Sequence, residues 1–490
     1  MKTTYKFILV ALAATAALTA CTKDLTTGKV DGNQPEGTLR TIAVSFSTPT
    51  KSYISGYNES DKEYNVRFSE GDKILVSDGK TTEECEVIPK PGELATTNPQ
   101  MVIQTKLKGS LVAVYPSDAA KVEDDRITGI IVDDMQSGSF ADANICTADQ
   151  GGGMAKSNDA LTFTTRVAIL RFYADQSIGV SKIQINSEGP DICTEGTTIT
   201  IDPAYKKPQS DQKEQAKKKA AAAAPASRFL YAAVDVSSTV TATALTIRSY
   251  AESQGEGYVE KTPTANVDLV YNKMYNVFMP YYIKVQVGTD EGDNPIYQKW
   301  GYCNVGAFLP EEPGLYFSWG NTEGHWLNGE SDGYQFTEAT YEETPGYGIT
   351  EGPLPLANDA AYVTWGENWR MPTKEESGAL RPKCEWDYYA TDPGKQQYGL
   401  CCGRLFLPET GSISGETIYS KGNSSQFWTS DFASYGWAYR FDVDRALDDP
   451  SNMDNVHCGL PIRPIYDETL SDGGDPVSLT NNPYNNGGTF

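Results

Sequence analysis

From residue 41 to 287, short apolar-rich runs alternate with clusters of Gly, Asp, Asn and Pro, the spacing of an all-β sandwich. In the run 41–47 (TIAVSFS), Ile42, Val44 and Phe46 fall on one face of an extended chain, because successive strand side chains point to opposite sides. The same reading predicts strands at 73–76, 111–115, 127–132, 167–173, 197–201, 239–247 and 275–287. No helix-period run of comparable strength competes, so antiparallel sandwiches are expected. Beyond residue 295 the pattern turns irregular. Thr373 follows Pro372 and stands three residues before Glu376, a capping box that predicts a short helix ending near Leu380. A second helix is expected over 356–363. Strands are expected over 405–407, 426–428 and 437–443, the last with Trp437, Tyr439, Phe441 and Val443 on one face. That mixture implies an irregular α+β body.

The tryptophans divide the chain at the same place. Trp300, Trp319, Trp326, Trp365, Trp369, Trp386, Trp428 and Trp437 are all eight of them, and both His and five of the nine Cys also lie beyond residue 299. The run 288–294 (GTDEGDN) supplies turn residues for a boundary near 290.

At the start of the chain, Lys2 and Lys6 precede an apolar stretch, 7–20, that is too short to span a bilayer and reads as a secretory signal. Leu18-Thr19-Ala20-Cys21 resembles the lipobox of bacterial lipoproteins, which implies a signal peptide over 1–20, lipidation of Cys21, and an outer-membrane, cell-surface location. The polar stretch 21–40 reads as a tether. Lys23-Asp24 resembles the export signal of surface lipoproteins.

Composition narrows the functions. A length of 490 residues allows about three domains. A formal charge of −24 argues against a nucleic-acid partner. Two His and nine Cys do not suggest a His-rich metal site, and no cofactor is expected.

Three ordered segments then resemble the fimbrillin family of type V pilins: Glu70-Gly71-Asp72 leading into Lys73–Val76, Val112–Tyr115 with Pro116, and Leu161–Phe163 leading into 167–172. The resemblance covers about 245 residues and implies two transthyretin-like β-sandwiches, 41–150 and 151–290, with an internal boundary near Gly151-Gly152-Gly153. A Lys/Ala-rich insertion at 205–228 departs from the pattern and reads as a solvated loop or frayed helix. In such pilins a trypsin-like cut after a basic residue removes the first strand, and a neighbouring subunit's strand fills the groove by β-augmentation. The matching residue here is Lys51, where the family more often has Arg; the alternative is an exposed loop lysine with the strand left in place. A cut at Arg40 would release the lipid without opening a groove.

The C-terminal body resembles the bacterial C-type-lectin-like domain found at the ends of surface lipoproteins. The resemblance rests on Cys303–Ala307, Pro310–Asn321, Asn358–Ala361, Trp365–Thr373 and Gly459–Ile465, in the family's order over about 170 residues. Together the two resemblances imply a mainly β chain: two transthyretin-like antiparallel β-sandwich domains, then an α+β C-type-lectin-like domain at 295–467 and a polar tail at 468–490. Trp319, Trp365, Trp369 and Trp428 are expected to fill the core. Trp326, beside His325 in the polar loop 321–335, is the candidate ligand-binding platform.

The triplets of calcium-dependent lectins are absent, and Asp442, Asp444, Asp448, Asp449 and Asp454 lack EF-hand spacing, so a solvated hairpin is expected there. The segment 369–376 (WRMPTKEE) is also similar to formylglycine-generating enzymes, whose copper chemistry needs a spaced pair of thiols. Cys401 and Cys402 are adjacent, so no catalytic residue is assigned. Cys303 and Cys384 recur in the lectin-like segments, as packed thiols or a bridge, whereas Cys85, Cys146 and Cys193 read as buried apolar residues.

The tail offers no alternating apolar run to donate. The expectation is a fimbrial tip or accessory adhesin whose partners are neighbouring pilin subunits and host glycans or proteins. The alternatives are a membrane-anchored glycan- or protein-binding lipoprotein that does not polymerise and, more remotely, a formylglycine-generating type of enzyme.

Overall fold

The computed structural model of the protein describes residues 39–46, 68, 70–93, 100–149, 160–206, 228–254, 257–262, 267–325, 334, 336–366, 368–390, 396–415, 417–419, 422–444 and 452–470. The signal segment, most of the tether, Gly151–Gly153, the insertion core 207–227 and the tail beyond 470 lie outside them. Strands dominate the described chain.

The first sandwich holds β1 (Arg40–Phe46), β2 (Lys73–Ser77), β3 (Thr82–Glu86), β4 (Ile88–Pro89), β5 (Met101–Thr105), β6 (Val112–Tyr115), β7 (Cys146–Asp149) and β8 (Ala160–Thr165). They pair in the order β3-β2-β6-β7-β8-β1-β5-β4. The expected alternation places Ile42 and Val44 in a core with Phe68, Ile74, Val76, Ile103, Leu161 and Phe163. Glu83 on β3 accepts from the Thr105 hydroxyl at 2.6 Å and the Lys106 N–H at 3.0 Å, tying the β3 edge to the end of β5.

The second sandwich places β9 (Ala168–Tyr173) between β12 (Phe229–Val234) and β15 (Lys273–Val277). Facing them is a sheet of β10 (Val180–Ser187), β11 (Thr198–Ile201), β13 (Leu245–Ala251) and β14 (Val259–Lys261), extended by Met135–Gln136. All six residues of β9 are buried, which accounts for its near-continuous apolar run. Most pairs are antiparallel, as expected, yet each sandwich repeats one parallel feature. β1 lies parallel to β8, the last strand of its sandwich, and antiparallel to β5; β9 lies parallel to β15, the last of its own, and antiparallel to β12.

The C-terminal body begins on the hairpin β16 (Tyr282–Thr289) and β17 (Pro295–Gly301), with the turn residues 288–294 at its tip. A sheet runs β16-β17-β25-β18, where β18 is Trp369–Arg370 and β25 is Ile465–Tyr466. Two further antiparallel sheets are β19 (Glu385–Ala390), β20 (Gln396–Cys402) and β21 (Leu405–Pro408), and β22 (Ser424–Ser434), β23 (Trp437–Asp444) and β24 (Met453–Asn455). One apolar cluster runs from the second sandwich through Trp300, Tyr302, Phe308, Leu400 and Phe427.

The helix predicted from the capping box is α2 (Lys374–Leu380). Thr373 Oγ1 accepts from Glu376 N at 3.2 Å and Glu376 Oε2 from Thr373 N at 2.8 Å. The helix expected over 356–363 is instead a 3-10 turn, Leu356–Asn358, followed by α1 (Ala360–Trp365). Asp359 divides them, because its Oδ1 caps Ala361 N and Tyr362 N at 2.9 and 3.1 Å. β23 also departs from expectation. Trp437 is exposed whereas Ala438 and Phe441 are buried, because register shifts on β22 between Trp428 and Ser434 twist the hairpin near its tip.

Candidate functional site

β1 is an interior strand of its sheet, so its backbone pairs on both sides. Its register sets Ala43, Val44, Ser45 and Phe46 against Ala160, Leu161, Thr162 and Phe163 on one side. Arg40, Thr41, Ile42 and Ala43 stand against Thr105, Gln104, Ile103 and Val102 on the other. Without β1, two strand edges and the core around Ile103, Leu161 and Phe163 would open together. Arg40 is the first residue of β1, and its Nη1 donates to the carbonyls of Leu107 and Gly109 at 3.3 and 3.0 Å. β9 holds the equivalent place in the second sandwich but is preceded by the whole first sandwich, so an N-terminal cut cannot release it. Lys51 and Cys21 lie outside the described residues.

Trp326 lies outside them as well. Its neighbour His325 is half-buried and forms a two-residue bridge with Tyr316, N–H to carbonyl at 2.8 and 2.9 Å in the two directions. Its ring meets Tyr334 edge-on at 5.2 Å. The structural role expected of the other tryptophans is what the body displays. Trp319 and Trp428 are fully buried and donate to the carbonyls of Thr429 and Phe317 at 2.9 and 2.7 Å. Trp369 is buried, and half-buried Trp365 packs against it at 4.6 Å.

The acidic hairpin differs from expectation at Asp442, whereas Asp448 and Asp449 lie outside the described residues. Asp442 is buried, not solvated, and accepts from Arg440 Nη2 at 2.8 Å, while Arg440 Nη1 pairs with Asp454. An arginine between the two carboxylates already supplies the positive charge. Among the described residues no group of three or more His, Cys, Asp or Glu is placed to hold a metal ion. Among them, too, no helix is long and apolar enough to cross a membrane, which says nothing of a β-barrel.

A bridge joins Cys384 to Cys402, and Cys303 is a free, buried thiol donating to the Ala307 carbonyl. Cys85, Cys146 and Cys193 are buried and free. Burial pushes the Cys401 thiol up to about 11. As the strand neighbour of Cys402 it projects from the opposite face of β20.

The sequence pattern placed Trp437 on a strand face but did not mark Tyr388 or Tyr435, which the C-terminal body also leaves exposed. Tyr388 on β19, Tyr435 at the β22–β23 turn and Trp437 stand out from the surface. Turn placement was the available signal, since Tyr435-Gly436 sits between two strand-like runs.

No family model matches the chain, and no curated protein matches it. Solved structures give weak similarities. One is a candidate cell adhesion protein from Bacteroides uniformis ATCC 8492, at 13% identity over 50% of this chain and 93% of that one, with a TM-score of 0.26. Another is a candidate cell adhesion protein from Bacteroides ovatus ATCC 8483, at 14% identity over 54% and 95%, with a TM-score of 0.27. A candidate adhesin from Bacteroides ovatus gives 11% identity over 54% and 92%, with a TM-score of 0.22. Scores at this level do not establish a shared fold.

Proposed function

We propose that the protein is a cell-surface adhesin subunit, exported as a lipoprotein through Cys21 and assembled into a fimbria at the tip or as an accessory subunit. The placement of β1 carries the reading. It is the first strand among the described residues, it is interior to its sheet, and it contributes Ile42 and Val44 to the core. Removing it would leave a groove that a strand of matching alternation from another subunit can fill. Cleavage after Lys51 would do this, and the lectin-like body would then be the presented surface.

N-terminal sequencing of assembled surface material is expected to show a start at Ser52, and Lys51→Ala is expected to abolish incorporation. A start at Cys21 in assembled material, or undiminished incorporation of the variant, would remove the mechanism. One observation favours a second reading, a lipid-anchored binding protein that never polymerises. With its own β1 in place, the eight-stranded sheet is already complete.

A binding role, not a catalytic one, is part of the proposal. The bridge between Cys384 and Cys402 ties up the thiol adjacent to Cys401 in the chain, so that neighbour is not free to serve as the second thiol the copper enzyme needs. The pentapeptide 329–333 (GESDG) has the spacing of a nucleophile elbow, but it follows a polar stretch where that motif requires a strand, and it lies outside the described residues.

A further inference from the structure

Tyr435 stands 63% exposed at the turn between β22 and β23. Its ring meets Tyr347 at 4.9 Å and 64°, and Tyr347 meets Tyr341 at 5.1 Å and 83°. Successive edge-to-face contacts make the three rings a stepped corner in place of a flat stack. Their hydroxyls run in series. Tyr435 Oη donates to Tyr347 Oη, while Tyr347 and Tyr341 donate to Glu342 Oε1 at 3.3 and 3.4 Å. Aromatic faces therefore sit beside a polar rim that ends on an exposed carboxylate.

Two separate loops carry these rings, and both are fixed to the buried framework. A Cβ on Gly346 would collide with the Trp319 carbonyl oxygen, so glycine is what lets the 344–349 turns lie against that buried tryptophan. On the other side, Gly436 turns the hairpin at φ +77° and its carbonyl accepts from Val456 N at 3.0 Å. Val456 in turn accepts from Trp319 N at 3.0 Å. The corner is thus preformed, which lowers the ordering cost of binding.

From this geometry we propose that Tyr341, Tyr347, Tyr435 and Glu342 form a cradle for a neutral pyranose ring. The proposal rests on the adhesin reading and names its ligand class. A pyranose offers an apolar C–H face for the rings and peripheral hydroxyls for the phenols and carboxylate. Charge selects among sugars. The stretch 334–352 carries Glu338, Glu342, Glu343 and Glu351 and no Lys or Arg, so sialylated or sulfated glycans are repelled. Three rings are also far short of the roughly 800 Å² per partner of a stable protein interface.

The test applies the full chain to an array of neutral, sialylated and sulfated oligosaccharides. Neutral glycans are expected to bind and the acidic ones not to. Tyr435→Ala, at an exposed position, should lower that binding at least about tenfold, and Tyr347→Phe, which keeps the ring, should lower it by a smaller factor. Tyr388→Ala, at an exposed tyrosine of β19 outside the cradle, should leave it unchanged. Failure to bind any neutral glycan, or binding unaltered in Tyr435→Ala, overturns the cradle. If cells displaying the chain still adhere to host cells in that case, the cradle alone has failed. If assembly and adhesion are lost from the wild-type chain as well, the adhesin reading has failed too.

Discussion

Glu376 does two jobs at once. Its carboxylate completes the capping box of α2 and also grips Arg370 through two bonds, at 2.7 and 2.8 Å, while Arg370 Nε reaches Asp467 at 2.8 Å. Burial pushes this carboxyl up, but the guanidinium and the Thr373 N–H outweigh it and hold the group below its ordinary 4.5. A carboxyl lowered by folding stabilises the native state above its unfolded pKa, and that stability is lost as pH falls through the folded value. Glu376→Gln keeps a cap acceptor and removes the charge, so it should cost about 1–3 kcal/mol at pH 7. The gap to wild type should narrow by pH 3.5 in urea unfolding; an equal gap at both pH values would exclude the charge as its source. The capping box was legible in sequence because its partners are three residues apart. The contacts around it were not. Asp359 accepts from Met371 N at 2.8 Å and Asp431 from Lys374 N at 2.6 Å, links set by tertiary approach that leave no local periodicity.

For single elements, alternation was readable and partnership was not. The burial of Ile42 and Val44 follows from the period of two, whereas the parallel pairing of β1 with β8 joins segments more than a hundred residues apart. β23 shows the opposite failure: its period was visible, but bulges on β22 moved Trp437 out of the core. The interior position of β1 makes a direct prediction about the cleaved form. A chain beginning at Ser52 loses two buried side chains, each contributing about 1.5–3 kcal/mol, together with pairing on both sides. Its melting temperature should fall well below that of the intact chain. A synthetic RTIAVSF peptide, the sequence of β1, should restore much of the loss, and the same peptide with Asp at the Ile42 position should not. Equal effects of the two peptides, or none from either, would show that this groove does not accept a strand by register.

Across the whole molecule, the compositional break near 290 coincides with a hairpin tip, while packing continues across it. β17 pairs with β16, and one apolar cluster joins the second sandwich to the C-terminal body. Polar contacts follow the same seam. Asp175 accepts from Tyr389 at 2.7 Å. Arg171, buried in β9, donates to Asn276 at 2.7 Å and lies over the rings of Phe229 and Phe308. Arg228 holds Glu311 through two bonds, at 2.8 and 2.7 Å, with both side chains mostly buried. Tryptophan counts could not reveal this seam, because its members are single charged and aromatic residues scattered from 171 to 389. The Arg228–Glu311 pair tests whether the two bodies share stability. Removing one partner strands a poorly hydrated charge, so Arg228→Met should cost about 3 kcal/mol or more. Replacing both with Met restores apolar matching, so the double variant should recover most of that loss. If the seam couples the bodies, calorimetry of Arg228→Met should show the second sandwich and the C-terminal body losing stability together. A C-terminal body seated on such a seam would move with the second sandwich as one unit, because packed side chains and the Arg228–Glu311 pair join them. Two separated transitions, only one of them shifted by the substitution, would mean that the C-terminal body hinges on the second sandwich.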